Sequence, residues 1–335
     1  MSPSRTSTPN DDASATFLLC PGRGSYGREE LGTLLDLVTE LGSEGAALVA
    51  ELETMRADLL PDQPGLLELD QSTSFKPAHM LPGMRASPLI YACSVLDARR
   101  AMRSCEPVLV GGNSLGFYSA LAVSGALTPV DGMRLVATMA RLQEDGPKGG
   151  QVLWTLLDEE WHVLPERSID AESVLTAIRA EGHRADVSIR LGGHIVLAGD
   201  EPATKLLLER LPRVVLGKRE FPFRLPFHGP FHTDLLAEVA ARAGHELEDL
   251  PMSEPRIPLV DGRGRVWRPM STDVEALFDY TVGTQVTSTF DLTAALRVAL
   301  LDYAPRTTRL LAPGTSLRAP LGHVQKMLGL AALIP

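Results

Sequence analysis

The sequence predicts an α/β protein in two parts: a larger unit of alternating strands and helices, and a compact β-α-β-β-α-β unit inserted into it. Three observations carry this. Short apolar runs bounded by glycine and proline, such as "TFLLC" (16–20) and "PVLVGG" (107–112), alternate with long helical patterns, the order that builds a parallel sheet. "ADVSIRL-GG-HIVLAG" places two strands around a Gly-Gly turn, the strongest hairpin signal in the chain. A helix and a strand on either side of that hairpin complete the split βαβ pattern within about 70 residues.

In chain order, polar residues 1–14 have no hydrophobic h-region and are expected to form a disordered leader. "TFLLC" is a buried strand stopped by the tight loop "PGRGSYG". A helical pattern follows, broken near Gly42, and residues 59–85 are expected to be irregular because proline, glycine and polar residues dominate there. "SPLIYACSVLDARRAM" is apolar on most faces, as a buried helix is. After "PVLVGG" and a glycine-rich turn come the helices "FYSALAVSGAL" and "TPVDGMRLVATMARLQED", the second with Thr128 as cap and Pro129 in its first turn.

The order changes after "GPKGG". "QVLWTLLD" is a strand, "SIDAESVLTAIRAEG" a helix capped near Ser168 or Asp170, "EPATKLLLERL" a helix and "RVVLGKREF" the last strand of the inserted unit. The larger unit resumes with the helix "FHTDLLAEVAARAGHELEDL", the strand "IPLVDG", the helix "DLTAALRVALLDY", the strand "TTRLLAPG" and a closing helix "LGHVQKMLGLA". The expected division is therefore 15–147 with 225–335 against 148–224.

At 335 residues, with 44% hydrophobic and 22% charged residues, the chain can bury one large core or two smaller ones. Three cysteines (Cys20, Cys93, Cys105) at unrelated spacings give neither a disulfide framework nor a zinc site, which fits a reducing cytoplasm. A net charge of −10 argues against general nucleic-acid binding. No run reaches the roughly 18 apolar residues needed to cross a bilayer. A soluble, cytoplasmic monomer is expected.

The chemistry centres on Gly112-Asn113-Ser114-Leu115-Gly116, a G-x-S-x-G between a strand and a helix. That arrangement is a nucleophile elbow, the signature of an α/β-hydrolase-like unit. The turn is strained, and side chains at the glycines would clash with the adjoining strand and helix. It lifts the Ser114 hydroxyl above the sheet, and the helix N-terminus favours an oxyanion there. The bland alternative is a structural turn serine.

The base lies among eight histidines. His232, in "RLPFHGPFHTDLL", sits on a proline-rich loop just before a helix. His228 is four residues earlier, but the intervening prolines break the helix a metal pair would need, so no metal is expected. His323 competes, because Ser114, Asp302 and His323 fall in the order of an α/β-hydrolase triad. Its bland reading is a helix-surface histidine.

Several separated stretches, taken together, resemble the malonyl-CoA:acyl-carrier-protein transacylase family and the related polyketide-synthase acyltransferase domains. "LCPGRGSYG" resembles the family's F-P-G-Q-G-S-Q loop, and "GGNSLGFYSALAVSGALTPVDGMRLV" its G-H-S-L-G-E-Y-S-A-L elbow. "LPFHGPFHTDLL" is similar to the segment with the active-site histidine, "GTQVTSTFDLTAAL" to Q-x-x-x-P-V-x-W, and "LLAPGTSLRAPL" to G-P-G-x-x-L. The match runs in order over nearly the whole chain.

The resemblance implies a Ser114–His232 dyad, with Gln285 orienting the histidine and the backbone N–H groups of Leu115 and Arg23 forming an oxyanion hole. It implies acyl transfer from coenzyme A, as substrate, to the phosphopantetheine thiol of an acyl carrier protein in fatty-acid or polyketide biosynthesis, with no cofactor. Malonyl is the family's default acyl group. The expected acyl pocket comprises Asn113, Met139, Phe231 and Arg190. Met139 stands where the family carries the arginine that pairs with the malonyl carboxylate, and Arg141 should face another side of its helix. Asn113 replaces the histidine before the nucleophile, Tyr26 the second glutamine of the N-terminal loop, and Ser87 a glutamine in the helix before the elbow. Arg190 or Arg23 could supply the missing charge, or the acyl group is uncharged. Alternatives are an acyl-thioester hydrolase acting on carrier proteins and a non-enzymatic carrier-binding subunit.

Overall fold

The computed structural model describes residues 15–330; the expected leader lies outside the described residues. Twelve strands among the described residues form two five-stranded sheets and a small hairpin. The first sheet has the order β10-β9-β2-β1-β12, where β1 is Ala15–Cys20, β2 Glu106–Gly112, β9 Leu259–Val260, β10 Val266–Trp267 and β12 Thr307–Leu310. Strands β12, β1, β2 and β9 run parallel, and β10 closes the edge antiparallel. Helices cover the sheet, so β1 is buried over almost its whole length, as its continuous apolar run requires.

The second sheet has the order β11-β4-β5-β3-β8, built from β3 (Gly149–Thr155), β4 (Ala185–Leu191), β5 (His194–Asp200), β8 (Phe223–Arg224) and β11 (Phe290–Asp291). Strands β3, β4, β5 and β8, with the helices Pro165–Ala180 and Glu201–Arg210, make the β-α-β-β-α-β unit; their spatial order is that of a ferredoxin-like sheet. The hairpin turns at Gly192-Gly193, with Gly192 at φ 62°.

Two sequence expectations fail in this unit. "RVVLGKREF" does not supply its last strand. Gly217, at φ 60°, folds it back on itself as the hairpin of β6 (Val214–Leu216) and β7 (Arg219–Phe221), and the short β8 pairs with β3 instead. The helix expected to be capped by Ser168 or Asp170 begins earlier, at Pro165, with Leu164 at the N-cap position. The fifth strand, β11, pairs with β4 from far along the chain. We propose the division 15–147 with 225–335 against 148–224, with β11 crossing it.

Two punctuation signals elsewhere fall where the sequence places them. Gly42 (φ 65°) separates the helices Thr33–Leu41 and Ser43–Leu59, and Thr128 Oγ1 accepts the Asp131 N–H at 3.1 Å. The stretch expected to be irregular holds two short helices, Leu66–Asp70 and Pro77–Met80. Asp70 has a tethering role: its carboxylate accepts the N–H groups of Leu34 and Leu35 and the Tyr26 hydroxyl at 2.6 Å, fixing the N-terminal loop. Among the described residues no helix is long and apolar enough to cross a membrane.

Candidate active site

The site forms at the C-terminal ends of β1 and β2, where open parallel sheets place their ligands. Ser114 occupies the sharp turn between β2 and the helix Leu115–Val123, with φ 56° and ψ −111°. Both flanking glycines are sterically required. A Cβ on Gly112 would lie 2.1 Å from the Gly116 carbonyl oxygen, and one on Gly116 would lie 2.3 Å from that of Cys20. The strand and the N-terminal loop thus approach the helix too closely for any side chain at these two positions.

Ser114 Oγ lies 2.6 Å from His232 Nε2. His232 Nδ1 lies 2.6 Å from the backbone carbonyl oxygen of Gln285, an acceptor, so Nδ1 carries the proton and Nε2 is free to accept from the serine. That carbonyl is available because Gln285 lies in the last helical turn (Gln285–Thr287), whose carbonyls have no helical partner. The Gln285 side chain does something else: its Nε2 donates to the Ser114 carbonyl at 3.1 Å. Gln285 contacts the histidine through its main chain, while its side-chain amide braces the elbow.

His232 is itself at φ 58°, a conformation that needs support from its surroundings. Thr233 Oγ1 donates to the Pro230 carbonyl at 2.7 Å, and Ser188 Oγ on β4 donates to the Phe231 carbonyl at 2.7 Å. Gln151 on β3 in turn donates to Ser188 Oγ at 2.5 Å. The second sheet therefore holds the histidine loop in place. Sequence reading missed this chain, because Gln151 and Ser188 look like ordinary strand residues.

Burial pushes the His232 imidazole down to about 4, against the opposing effect of its bond to the Gln285 carbonyl. The ring is then neutral and able to act as base at neutral pH. Protonation at Nε2 removes that capacity, so kcat/KM is expected to stay level from about pH 8 to 5 and to fall near pH 4, rather than near the ordinary histidine value of about 6.5. A pH–rate profile checks this; an acid limb centred near 6.5 would contradict it.

The other candidates are placed as follows. His323 is not near the nucleophile. It packs edge-on against Trp161 and His194, with ring centroids 4.7 and 5.0 Å away, and its Nδ1 accepts the Gly193 N–H at 3.3 Å. Asp302 is exposed in a π-helical turn, so the Ser114–Asp302–His323 triad does not form. His323 is buried, which also corrects its reading as a surface residue. His228 Nδ1 lies 2.9 Å from the Pro226 carbonyl, while both nitrogens of His232 are engaged, so the two make no metal pair. The N–H groups of Leu115 and Arg23 have no acceptor among the described residues.

A cavity of about 30 Å³ adjoins Ser114 and His232, lined by Met139, Phe231, Ser87 and the Arg23 side chain among others. Arg141, two residues beyond Met139, points away and pairs with Glu246. Asn113 lines a second cavity, of about 440 Å³, which also reaches Ser114; its side chain makes no hydrogen bond among the described residues, and its Oδ1 is buried. Arg190 lines neither cavity. It is exposed, 3.6 Å from Asp291, so its place in the expected acyl pocket is corrected. Arg23 lines both cavities and donates to the Phe227 carbonyl at 2.5 Å, its guanidinium 5.1 Å from the Phe231 ring centroid. Burial lowers it to about 10, so it stays charged at neutral pH.

No protein-family model matches the chain. The chain is 25% identical over 250 residues to the malonyl CoA-acyl carrier protein transacylase of Haemophilus influenzae, covering 73% of this chain and 72% of that one. It is 26% identical over 247 residues to the Escherichia coli protein of the same name, covering 72% of each. The chain is thus similar in sequence to malonyl-CoA:acyl-carrier-protein transacylases over about three quarters of its length. The fold agrees with solved transacylases over nearly the whole chain. A solved malonyl-transacylase in complex with its type II polyketide-synthase acyl-carrier protein superposes with a TM-score of 0.76, covering 96% of both chains at 22% identity. A transacylase from Xanthomonas oryzae gives 0.73 at 24% identity, covering 96% of this chain and 94% of that one.

Proposed function

We propose that this protein is an acyltransferase that moves an acyl group from a coenzyme A thioester to the phosphopantetheine thiol of an acyl carrier protein. The observation that carries the reading is the 2.6 Å contact between Ser114 Oγ, on its strained turn, and the Nε2 of a neutral, buried His232. The homologues named for this reaction, and the solved complex of a transacylase with a carrier protein, point the same way.

In the first half-reaction Ser114 Oγ attacks the thioester carbonyl while its proton passes to His232 Nε2. The C–O bond forms, the C–S bond breaks, and the imidazolium returns the proton to the departing thiolate. The second half-reaction is the reverse with the carrier thiol as nucleophile: His232 takes the thiol proton, sulfur attacks the ester and Ser114 leaves protonated. In both halves the negative charge develops on the carbonyl oxygen, and the free N–H groups of Leu115 and Arg23 are the donors assigned to it. Because Arg23 acts there through its main chain, its difference from the family's glutamine does not remove the donor. The Gln285 carbonyl fixes the tautomer and stabilises the transient imidazolium, the task a carboxylate performs in a triad.

Transfer is tested by incubating the enzyme with an acyl-CoA and a holo carrier protein, and following the carrier by intact mass. Acylated carrier is the expected product. Release of free acid with the carrier left unmodified would instead make the protein a hydrolase.

A further inference from the structure

The openings that meet at the nucleophile differ sharply in character. The pocket beside Met139 has about 30 Å³, room for a group the size of one water molecule. The cavity between the two sheets has about 440 Å³, within the ordinary size range of small-molecule sites, roughly 300–1,000 Å³. A third opening, of about 270 Å³, does not touch Ser114 but shares Arg23, Gln143 and Phe231 with the small pocket; Lys148 and His228 also line it.

The 440 Å³ cavity is walled mainly by apolar side chains: Ile90 from one side and Leu153, Ile189, Val196, Phe223 and Leu225 from the second sheet and its edge. Its polar lining is the smaller part: Asn113 Oδ1 and His194 Nδ1 are buried without a hydrogen-bond partner among the described residues, and the rest is mainly engaged or exposed. Gln151 is bound to Ser188, Arg23 to the Phe227 carbonyl, and His194 stacks on Phe221 at 5.4 Å. Arg219 is exposed, on the hairpin strand β7.

Resting on the acyl-enzyme reading above, we infer that the acyl group is uncharged and apolar, with its chain in the 440 Å³ cavity. The pantetheine arm then lies along the third opening, where Gln143, His228 and Lys148 offer partners for amides and phosphate. Three facts support the assignment. The small pocket has no space for a chain. A buried carboxylate beside Met139 would meet Val136, Ala140, Leu236 and Val286 and the neutral Ser87, Tyr118 and Gln143, with the one guanidinium in reach, Arg23, already held at Phe227. The arginine nearest Met139 in sequence, Arg141, is tied to Glu246. Apolar chain and apolar wall then match, and the gain grows with each methylene until the cavity fills.

The test measures the rate of acyl-enzyme formation by intact mass with malonyl-, acetyl-, butyryl-, hexanoyl- and octanoyl-CoA. Expected is a rise in kcat/KM of about threefold to fourfold per added methylene over the first members. Malonyl-CoA is expected at least about a hundredfold below butyryl-CoA, since its carboxylate would leave water for a mainly apolar wall whose cations are Arg23, held at the Phe227 carbonyl, and the exposed Arg219. Leu153→Trp, and at the less buried wall position Leu225→Trp, should slow hexanoyl and octanoyl groups while sparing acetyl. Malonyl loading as fast as hexanoyl would overturn the inference and leave the acyltransferase reading standing. So would tryptophan variants that slow every thioester equally, since the cavity would then hold the pantetheine arm. Failure of every thioester to form an adduct would overturn the acyltransferase reading itself.

Discussion

Alanine at His232 is expected to slow acyl-enzyme formation about a hundred- to ten-thousand-fold, the usual worth of a positioned general base. His323→Ala is expected to leave the rate within about twofold for the folded fraction, because His323 touches neither Ser114 nor either cavity beside it. Its cost falls on stability: removing the ring leaves the Gly193 N–H without its acceptor, a loss of about 1–3 kcal/mol. Single-turnover kinetics with a CoA thioester, alongside thermal melts, separate the two effects. A dead His323→Ala that melts like the parent, beside an active His232→Ala, would move the chemistry to the other histidine.

The second large effect is structural. Gly116→Ala puts a Cβ at 2.3 Å from the Cys20 carbonyl oxygen and 2.8 Å from that of Pro21, both backbone atoms. Neither can retreat cheaply. Cys20 ends a central strand hydrogen-bonded to neighbours on both sides, and its carbonyl already accepts the Asn113 N–H at 3.1 Å. The helix must therefore shift away from the loop, displacing Ser114 and the Leu115 N–H together. A stability loss of about 3 kcal/mol or more is expected, with acyl-enzyme formation falling at least about a hundredfold, since a displacement of about 1 Å can cost that much. Denaturant melts and single-turnover rates on the same sample read both. Parent-like values in each would show that the close approach at the elbow is not needed.

The elbow was legible because its constraint is local. A nucleophile on a strand-to-helix turn needs glycines at fixed offsets, and the structure shows the atoms those glycines avoid. The partner of Ser114 was harder, being 118 residues away. The residues alone made His323 a competitor but favoured reading it as a helix-surface histidine, and the family resemblance pointed to His232. The means of holding His232 was not legible, because a backbone carbonyl has no side-chain signature, so the two contacts of Gln285 stayed hidden.

The fold was readable where apolar periodicity and glycine punctuation agreed, as in β1, β2 and the β4–β5 hairpin. It misled in "RVVLGKREF", whose residues favour a strand but whose Gly217 folds it into two. Arg190 looked like a cation for the acyl pocket, yet its position on β4 directs it to Asp291; strand alternation sets that, and a motif count does not show it.

The central claim is that Ser114 carries the acyl group. It is tested most directly by trapping the enzyme with a CoA thioester, quenching in acid, and mapping the added mass by peptide sequencing. The expected result is one acyl group per chain on Ser114, absent from Ser114→Ala and transferable to a holo carrier protein. An acyl group found on a cysteine or on any other serine, or one that still forms in Ser114→Ala, would contradict it.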